Sequence, residues 1–112
     1  PYTDGVVYDD TGSTTRRTGA AAPTMTASAY CHEVTTKPGA WLSALNGQVI
    51  ASAGSNTVGF SATPELGGDS NVAAYFDGYV AEVVLFDRVL TPTERERVVQ
   101  YVKARYLIAS FP

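Results

Sequence analysis

Asn46-Gly47 is the feature that most constrains this chain. A two-residue type I′ turn needs positive φ at both central positions, which Asn and Gly adopt at little cost, so the dipeptide marks a tight antiparallel hairpin between strand-like flanks. The flanks here are Ala40 to Leu45 and Gln48 to Ala53, and they are expected to pair. Lys37-Pro38-Gly39 forces the turn that precedes them.

Other segments are read with the same signals. Val6-Val7-Tyr8 reads as a short strand entering the loop Asp9-Asp10-Thr11-Gly12-Ser13. No Gly or Pro interrupts Thr24 to Thr36, where Ala27, Ala29 and Cys31 alternate with Ser28, Tyr30 and His32, so a strand is expected there with neither face marked as core. Further strands are expected at Thr57 to Ala62 and at Val72 to Phe76, the latter preceded by Gly67-Gly68-Asp69. Asp77-Gly78 is a second hairpin signal, and Tyr79 to Phe86 is the most strongly strand-like segment of all.

One helix is expected over about 92 to 106. Thr91 caps it, Pro92 suits its first position, and Glu94 completes a Thr-x-x-Glu capping box. Glu94 lies early while Lys103 and Arg105 lie late, which complements the helix dipole. Val98, Val99, Val102 and Tyr106 share one face, so the helix docks by a single apolar stripe. The tail Leu107 to Pro112 is apolar enough to pack.

A length of 112 residues and 11.9 kDa suits one domain, residues 1 to 112. Hydrophobic residues make up 45%, but much of that is Ala, and thirteen Val and seven Tyr bias the remainder toward strands. The core must come from Val, Phe, Tyr, Leu and Trp41, at about 25 cal/mol per Å² of apolar surface removed from water. Such a core is thin, and stability is expected to lean on neighbouring chains or on segments outside this one. The net charge of −3, with Arg16-Arg17 as the only adjacent basic pair, disfavours nucleic acid as a partner. No apolar run approaches spanning length, so membrane insertion is not expected. A single cysteine, Cys31, excludes an internal disulfide.

The run Tyr75 to Tyr106, YFDGYVAEVVLFDRVLTPTERERVVQYVKARY, resembles the closing segment of concanavalin A-like sandwiches of the laminin-G-like and pentraxin-like type. The matching elements are Phe76 to Gly78, Glu82-Val83, Phe86-Asp87-Arg88 and the capped helix from Thr91. Trp41 to Ser52 is similar to the family's Asn-Gly hairpin, and Leu66-Gly67-Gly68 to its glycine-rich approach. The resemblance covers about Trp41 to Tyr106 and implies an all-β antiparallel β-sandwich, a concanavalin A-like jelly roll with a short C-terminal helix. Ala81 stands where many relatives carry an acid, and family domains hold several more strands upstream. The chain is therefore expected to be a fragment, a compact variant, or an incomplete sandwich that another chain completes.

Glu82 lies between Val80 and Val84 on one strand face and is a candidate ligand-binding group. The competing and preferred reading makes it an edge acid partnered by Arg88 or by a Tyr hydroxyl. The glucanases of the resembled superfamily carry a Glu-x-Asp-x-x-Glu strand, which is absent here. No other strand supplies the second carboxylate that a retaining glycosidase needs about 5–5.5 Å away, so no catalytic residue is assigned. Several lectin-like relatives bind calcium through loop oxygens. Asp9 and Asp10 in one loop, with Asp69, Asn71 and Asp77 in another, are the candidate ligands, since Ca²⁺ takes roughly six to eight oxygens. Ordinary Asx turns are the competing explanation.

Cys31-His32-Glu33 places three ligand types in sequence, but adjacent strand residues point to opposite faces and cannot chelate one ion. Cys31 then reads as a small buried hydrophobe, and His32 as a surface or hydrogen-bonded residue. Tyr2, Tyr8, Tyr30, Trp41, Tyr75 and Tyr79 could supply sugar-stacking platforms, with Trp41, Tyr75 and Tyr79 the candidate ligand-binding rings, against the alternative that such rings fill cores and cross-strand pairs. Gly67-Gly68 lacks the Gly-Lys-Ser/Thr ending of a phosphate loop, and Thr14-Thr15-Arg16-Arg17 reads as a solvated loop. The expected function is a non-catalytic recognition or adhesion module that binds carbohydrate or protein surfaces on an extracellular or virion-associated protein. The alternative is a structural decoration or cement protein whose partners are other subunits of an assembly. A polysaccharide-cleaving enzyme is the third class, with Glu82 its best candidate acid.

Overall fold

The computed structural model describes residues 6–21, 29–69 and 73–108. Its strands are β1 (Val6–Asp9), β2 (Arg17–Ala21), β3 (His32–Lys37), β4 (Ala40–Leu45), β5 (Gln48–Ala53), β6 (Gly68–Asp69) and β7 (Ala74–Tyr75), followed by the helix α1 (Pro92–Tyr106). Every strand pairing is antiparallel, in the sheets β1-β2, β3-β4-β5 and β6-β7. The fold is all-β and of sandwich type with one C-terminal helix. Among the described residues no helix is long and apolar enough to cross a membrane.

The central hairpin forms where Asn-Gly requires it. Asn46 and Gly47 hold φ of 50° and 85°, and Leu45 faces Gln48 across the turn. Asn46 also reaches back to the chain entering β3. Its backbone N–H donates to the Cys31 carbonyl at 2.8 Å, and its side-chain Oδ1 accepts from the Cys31 N–H at 2.9 Å. One residue thus closes the β4–β5 turn and sets the start of β3.

Alternation along β4 gives the sheet two faces. Trp41, Ser43 and Leu45 share one with their β3 partners Thr36, Val34 and His32. That face meets the loop after β1: Trp41 Nε1 donates to the Thr11 carbonyl at 2.9 Å, and Thr36 Oγ1 donates to the Gly12 carbonyl. Ala44 and its partner Glu33 lie on the other face, where the Arg95 guanidinium of α1 holds both Glu33 oxygens. Val99 of the helix presses on the hairpin turn, since a Cβ at Gly47 would lie 2.9 Å from Val99 Cγ1. The buried apolar residues are Trp41, Ala44, Leu45, Val99 and Ile108, a core as thin as the composition implies.

The helix spans 92 to 106 as its signals predict. Thr91 Oγ1 accepts from the Glu94 N–H, and the Glu94 carboxylate accepts from the Thr91 N–H, completing the capping box. Arg88 adds two hydrogen bonds to Glu94, at 2.9 and 2.7 Å. That guanidinium, with the Thr91 N–H and hydroxyl, holds the Glu94 carboxyl down at about 2. Leu107 closes the helix in the left-handed region, and Ile108 is buried beyond it.

Elsewhere the strand expectations are corrected. Thr57 to Ala62 and Tyr79 to Phe86 are not strands, Asp77-Gly78 makes no hairpin, and only Ala74–Tyr75 of the segment from Val72 to Phe76 is paired, Val72 lying outside the described residues. High β-propensity describes fit to a sheet surface, and without a neighbour to accept its N–H groups such a segment forms no strand. Of Thr24 to Thr36 only His32 onward is β, residues 22–28 lying outside the description. Conversely, Arg17–Ala21 is a strand in a stretch read as loop. Small residues suit it because the sheets approach closely: a Cβ at Gly19 would lie 3.2 Å from Ile50 Cδ1 and from the Val7 carbonyl.

Gly39 and Gly47 have similar positive φ, of 78° and 85°, but a Cβ at Gly39 meets nothing within 4 Å. Gly39→Ala is expected to cost about 1–2 kcal/mol, for the left-handed backbone alone. Gly47→Ala adds overpacking against Val99 and should cost about 1–3 kcal/mol more. Urea unfolding of both variants checks the difference.

Candidate functional site

Glycines shape a shallow surface concavity. Gly67 has φ of 76° and its carbonyl accepts from the Phe76 N–H at 2.8 Å, so the chain doubles back and sets Gly68 opposite Tyr75. A Cβ at Gly68 would lie 3.4 Å from the Tyr75 ring, and one at Gly78 would strike the Phe76 ring at 2.7 Å. Each aromatic ring therefore lies over a glycine. The result is a shallow hollow of about 440 Å³ lined by Gly67, Gly68, Ala74, Tyr75, Phe76 and Val80. Tyr75 and Phe76 are exposed, and Tyr79, nearby in sequence, is 99% exposed. Bare ring faces over an apolar floor suit stacking against a flat apolar surface, whether a sugar ring or a side chain.

The four candidate ligand-binding residues separate. Tyr75 lines the hollow, whereas Tyr79 is fully exposed and is not one of its lining residues. Trp41 does not: it is 2% exposed, with its indole N–H engaged by the Thr11 carbonyl, so it offers no ring face to solvent. Glu82 is tied to the helix. It accepts from Tyr106 OH at 2.7 Å and from Tyr101 OH at 3.2 Å, with Arg105 Nε 3.7 Å away. Burial and this carboxylate push the Tyr101 phenol up. The tyrosine-partnered reading of Glu82 describes this geometry, whereas Arg88 serves Glu94 instead.

The candidate calcium ligands have other engagements or stand apart. Asp9 is buried and hydrogen-bonded within the fold, Asp10 pairs with Arg16 at 3.5 Å, and Asp77 is exposed. Asp69 lies on β6, and Asn71 is outside the described residues. Among the described residues no group of three or more His, Cys, Asp and Glu side chains is placed to hold a metal ion.

One constellation escaped the sequence reading. Asp9 Oδ2, His32 Nε2 and Ser43 Oγ are mutually 3.0 Å apart. The residue types are those of a hydrolytic triad, but the geometry is different. In a triad the acid and the serine occupy opposite nitrogens of the imidazole, whereas here both meet Nε2. Ser43 is fully buried and its hydroxyl donates to Asp9, so it has neither a free base nor access to substrate. The cluster is a polar pin between β1, β3 and β4. Burial raises the Asp9 carboxyl, but hydrogen bonds from His32 and the Thr11 N–H outweigh it and leave the group below its ordinary 3.8. Burial, with Glu33 nearby, pushes the Cys31 thiol up, which suits an inert residue. Nothing in the local pattern around residues 9, 32 and 43 signals their meeting.

No protein-family model matches the chain, and no curated protein does. Among solved structures, the chain is similar to an S-layer domain-containing protein (residues 221–444) from Clostridium thermocellum, with a TM-score of 0.58 and 16% identity. The match covers 76% of this chain and 45% of that one, so the chain spans less than half of its neighbour's length. At this identity the likeness is one of fold.

Because the Asp9 carboxyl is depressed in the folded chain, its contribution to stability is complete above the unfolded value and is lost as pH falls through the folded one. Thermal unfolding followed below pH 4 should show this acid limb, and Asp9→Asn should flatten it. Asp9→Ala, which deprives the buried Ser43 hydroxyl of its acceptor, is expected to cost about 1–3 kcal/mol at neutral pH.

Proposed function

We propose that this chain is a non-catalytic recognition module of an extracellular or cell-surface protein, contacting glycans or protein surfaces through the aromatic hollow of Tyr75 and Phe76 together with the exposed Tyr79, which precedes the lining residue Val80 in sequence. The observation that carries the proposal is the exposure of Tyr75 and Phe76 on an apolar floor, with Tyr79 exposed nearby in sequence. Burying large aromatic rings is strongly favourable, and such exposed rings mark a contact surface more readily than a solvated one. The S-layer domain-containing neighbour supports a cell-surface setting by fold likeness. The closed geometry at Ser43 supports a binding role over hydrolysis, as does the engagement of Glu82 by two tyrosines. Membership of the concanavalin A-like superfamily is part of the same proposal, resting on the hairpin and capped helix.

A second reading is favoured by a different observation. Apolar residues from Tyr79 to Phe86 are exposed along their whole length, as on a subunit whose surface another chain covers. That is the structural, assembly-forming role.

The hollow is tested on an array of immobilised glycans, with and without calcium chelation. Binding is expected for the natural chain and lost, by about tenfold or more in affinity, in Tyr75→Ala and Tyr79→Ala, with helicity unchanged. Failure to bind any glycan under both conditions removes the sugar version and leaves protein surfaces. Binding insensitive to both substitutions removes the hollow.

A further inference from the structure

The hollow of Tyr75 and Phe76 has a carboxylate at its edge. A Cβ at Gly68 would lie 3.4 Å from Glu65 Oε2 and 3.4 Å from Tyr75 Cδ1, so the carboxylate and the ring both flank this one lining residue. Asp77 follows Phe76 and is exposed, and Asp69 stands opposite Ala74, another lining residue, on the β6–β7 ladder. From Pro38 to Asp87 the chain contains no Lys, Arg or His, while Glu65, Asp69, Asp77, Glu82 and Asp87 all fall within it. The segment that builds the hollow therefore carries charge of one sign only. None of the lining residues is basic, and arginines from other parts of the chain are engaged elsewhere: Arg16 by Asp10, Arg88 by Glu94, Arg95 by Glu33 and Arg105 by Glu82.

We propose that the hollow takes the guanidinium of an arginine side chain presented by a protein partner. The inference rests on the reading of the hollow as a contact surface and adds the chemistry of its occupant. Whatever fills the hollow removes water from the Glu65 carboxylate, and a charge desolvated without a counter-charge is costly. A cation compensates that loss, whereas an anionic ligand meets only carboxylates and a purely apolar one leaves Glu65 uncompensated. The exposed rings add a second attraction, since the face of an aromatic ring is negative and draws cations lying over it. Among cations, the guanidinium suits the site better than an ammonium. It is flat, weakly hydrated and stacks on ring faces, and its forked N–H groups match a carboxylate, so one group can lie on Tyr75 while donating to Glu65. An ammonium is a compact, strongly hydrated point charge and gains less from the ring.

Titration of the chain with three end-blocked peptides tests this: Gly-Arg-Gly-Arg-Gly, its lysine counterpart, and its citrulline counterpart, which keeps the shape of arginine without the charge. The arginine peptide is expected to bind and to perturb the amide signals of Gly67, Gly68, Tyr75 and Phe76. Citrulline should weaken binding about tenfold or more and lysine about threefold or more. Tyr75→Ala should cost about tenfold, and Glu65→Gln about threefold to tenfold. Glu96→Gln removes the same charge from the exposed surface of α1 and should leave the affinity as it is. Helix circular dichroism and Trp41 fluorescence report whether each variant stays folded, since neither probe lies in the hollow. No binding of the arginine peptide overturns the proposal, and so does equal binding of the citrulline or the lysine peptide. Equal losses in Glu65→Gln and Glu96→Gln overturn it too, because they mean diffuse attraction to an acidic chain. Glycan binding that Tyr75→Ala abolishes, without arginine binding, overturns the guanidinium and keeps the hollow; if no ligand responds to Tyr75→Ala, the hollow itself fails.

Discussion

The two-residue turn at Asn46-Gly47 organises the rest of this molecule through three contacts of different kinds. Its positive φ angles fold β4 onto β5. The Asn46 main chain and side chain together grip both polar groups of Cys31, which fixes where β3 begins and therefore its register against β4. Gly47 has no side chain, and that vacancy lets Val99 of the helix close on the turn. Sheet, strand entry and helix dock all depend on a segment two residues long.

Around that turn, polar contacts carry an unusual share of the construction, because the apolar core is so small. Trp41, Thr36 and Ser43 each pin the sheet to Asp9, Thr11 or Gly12, and Arg95 pins the helix to Glu33. Partly buried, mutually satisfied groups of this type specify one arrangement more than they add stability, since each must first be desolvated. The Asp9–His32–Ser43 contact illustrates how little residue types alone say about chemistry. Three side chains able to form a nucleophilic triad meet at hydrogen-bond distance, yet their orientation about one imidazole nitrogen makes them a structural pin.

The apolar residues missing from the core are found on the surface, concentrated between Val58 and Val89. That distribution divides the described residues into a pinned part, where β1 to β5 pair and bury Trp41, and an open part, where aromatic rings lie on glycines beside the short β6–β7 pair and the run 79–86 has no ladder. Both the aromatic hollow and the unpaired run belong to the open part.

The sequence by itself determined the hairpin of Ala40 to Ala53 and the helix of Pro92 to Tyr106, because Asn-Gly and Thr-Pro-x-Glu act on backbone groups within a few residues. For Glu82 it left two partners open, Arg88 or a tyrosine hydroxyl, and the fold supplies the tyrosines. Strand identity was a different matter. Tyr79–Phe86 has ideal composition but lacks a ladder among the described residues, while Thr18-Gly19-Ala20 has poor composition and pairs because β1 lies beside it. The burial of Trp41 and the joining of Asp9, His32 and Ser43 were likewise decided only by tertiary structure. Pairing, burial and convergence are properties of two distant segments at once, and no local pattern in either one contains the position of the other.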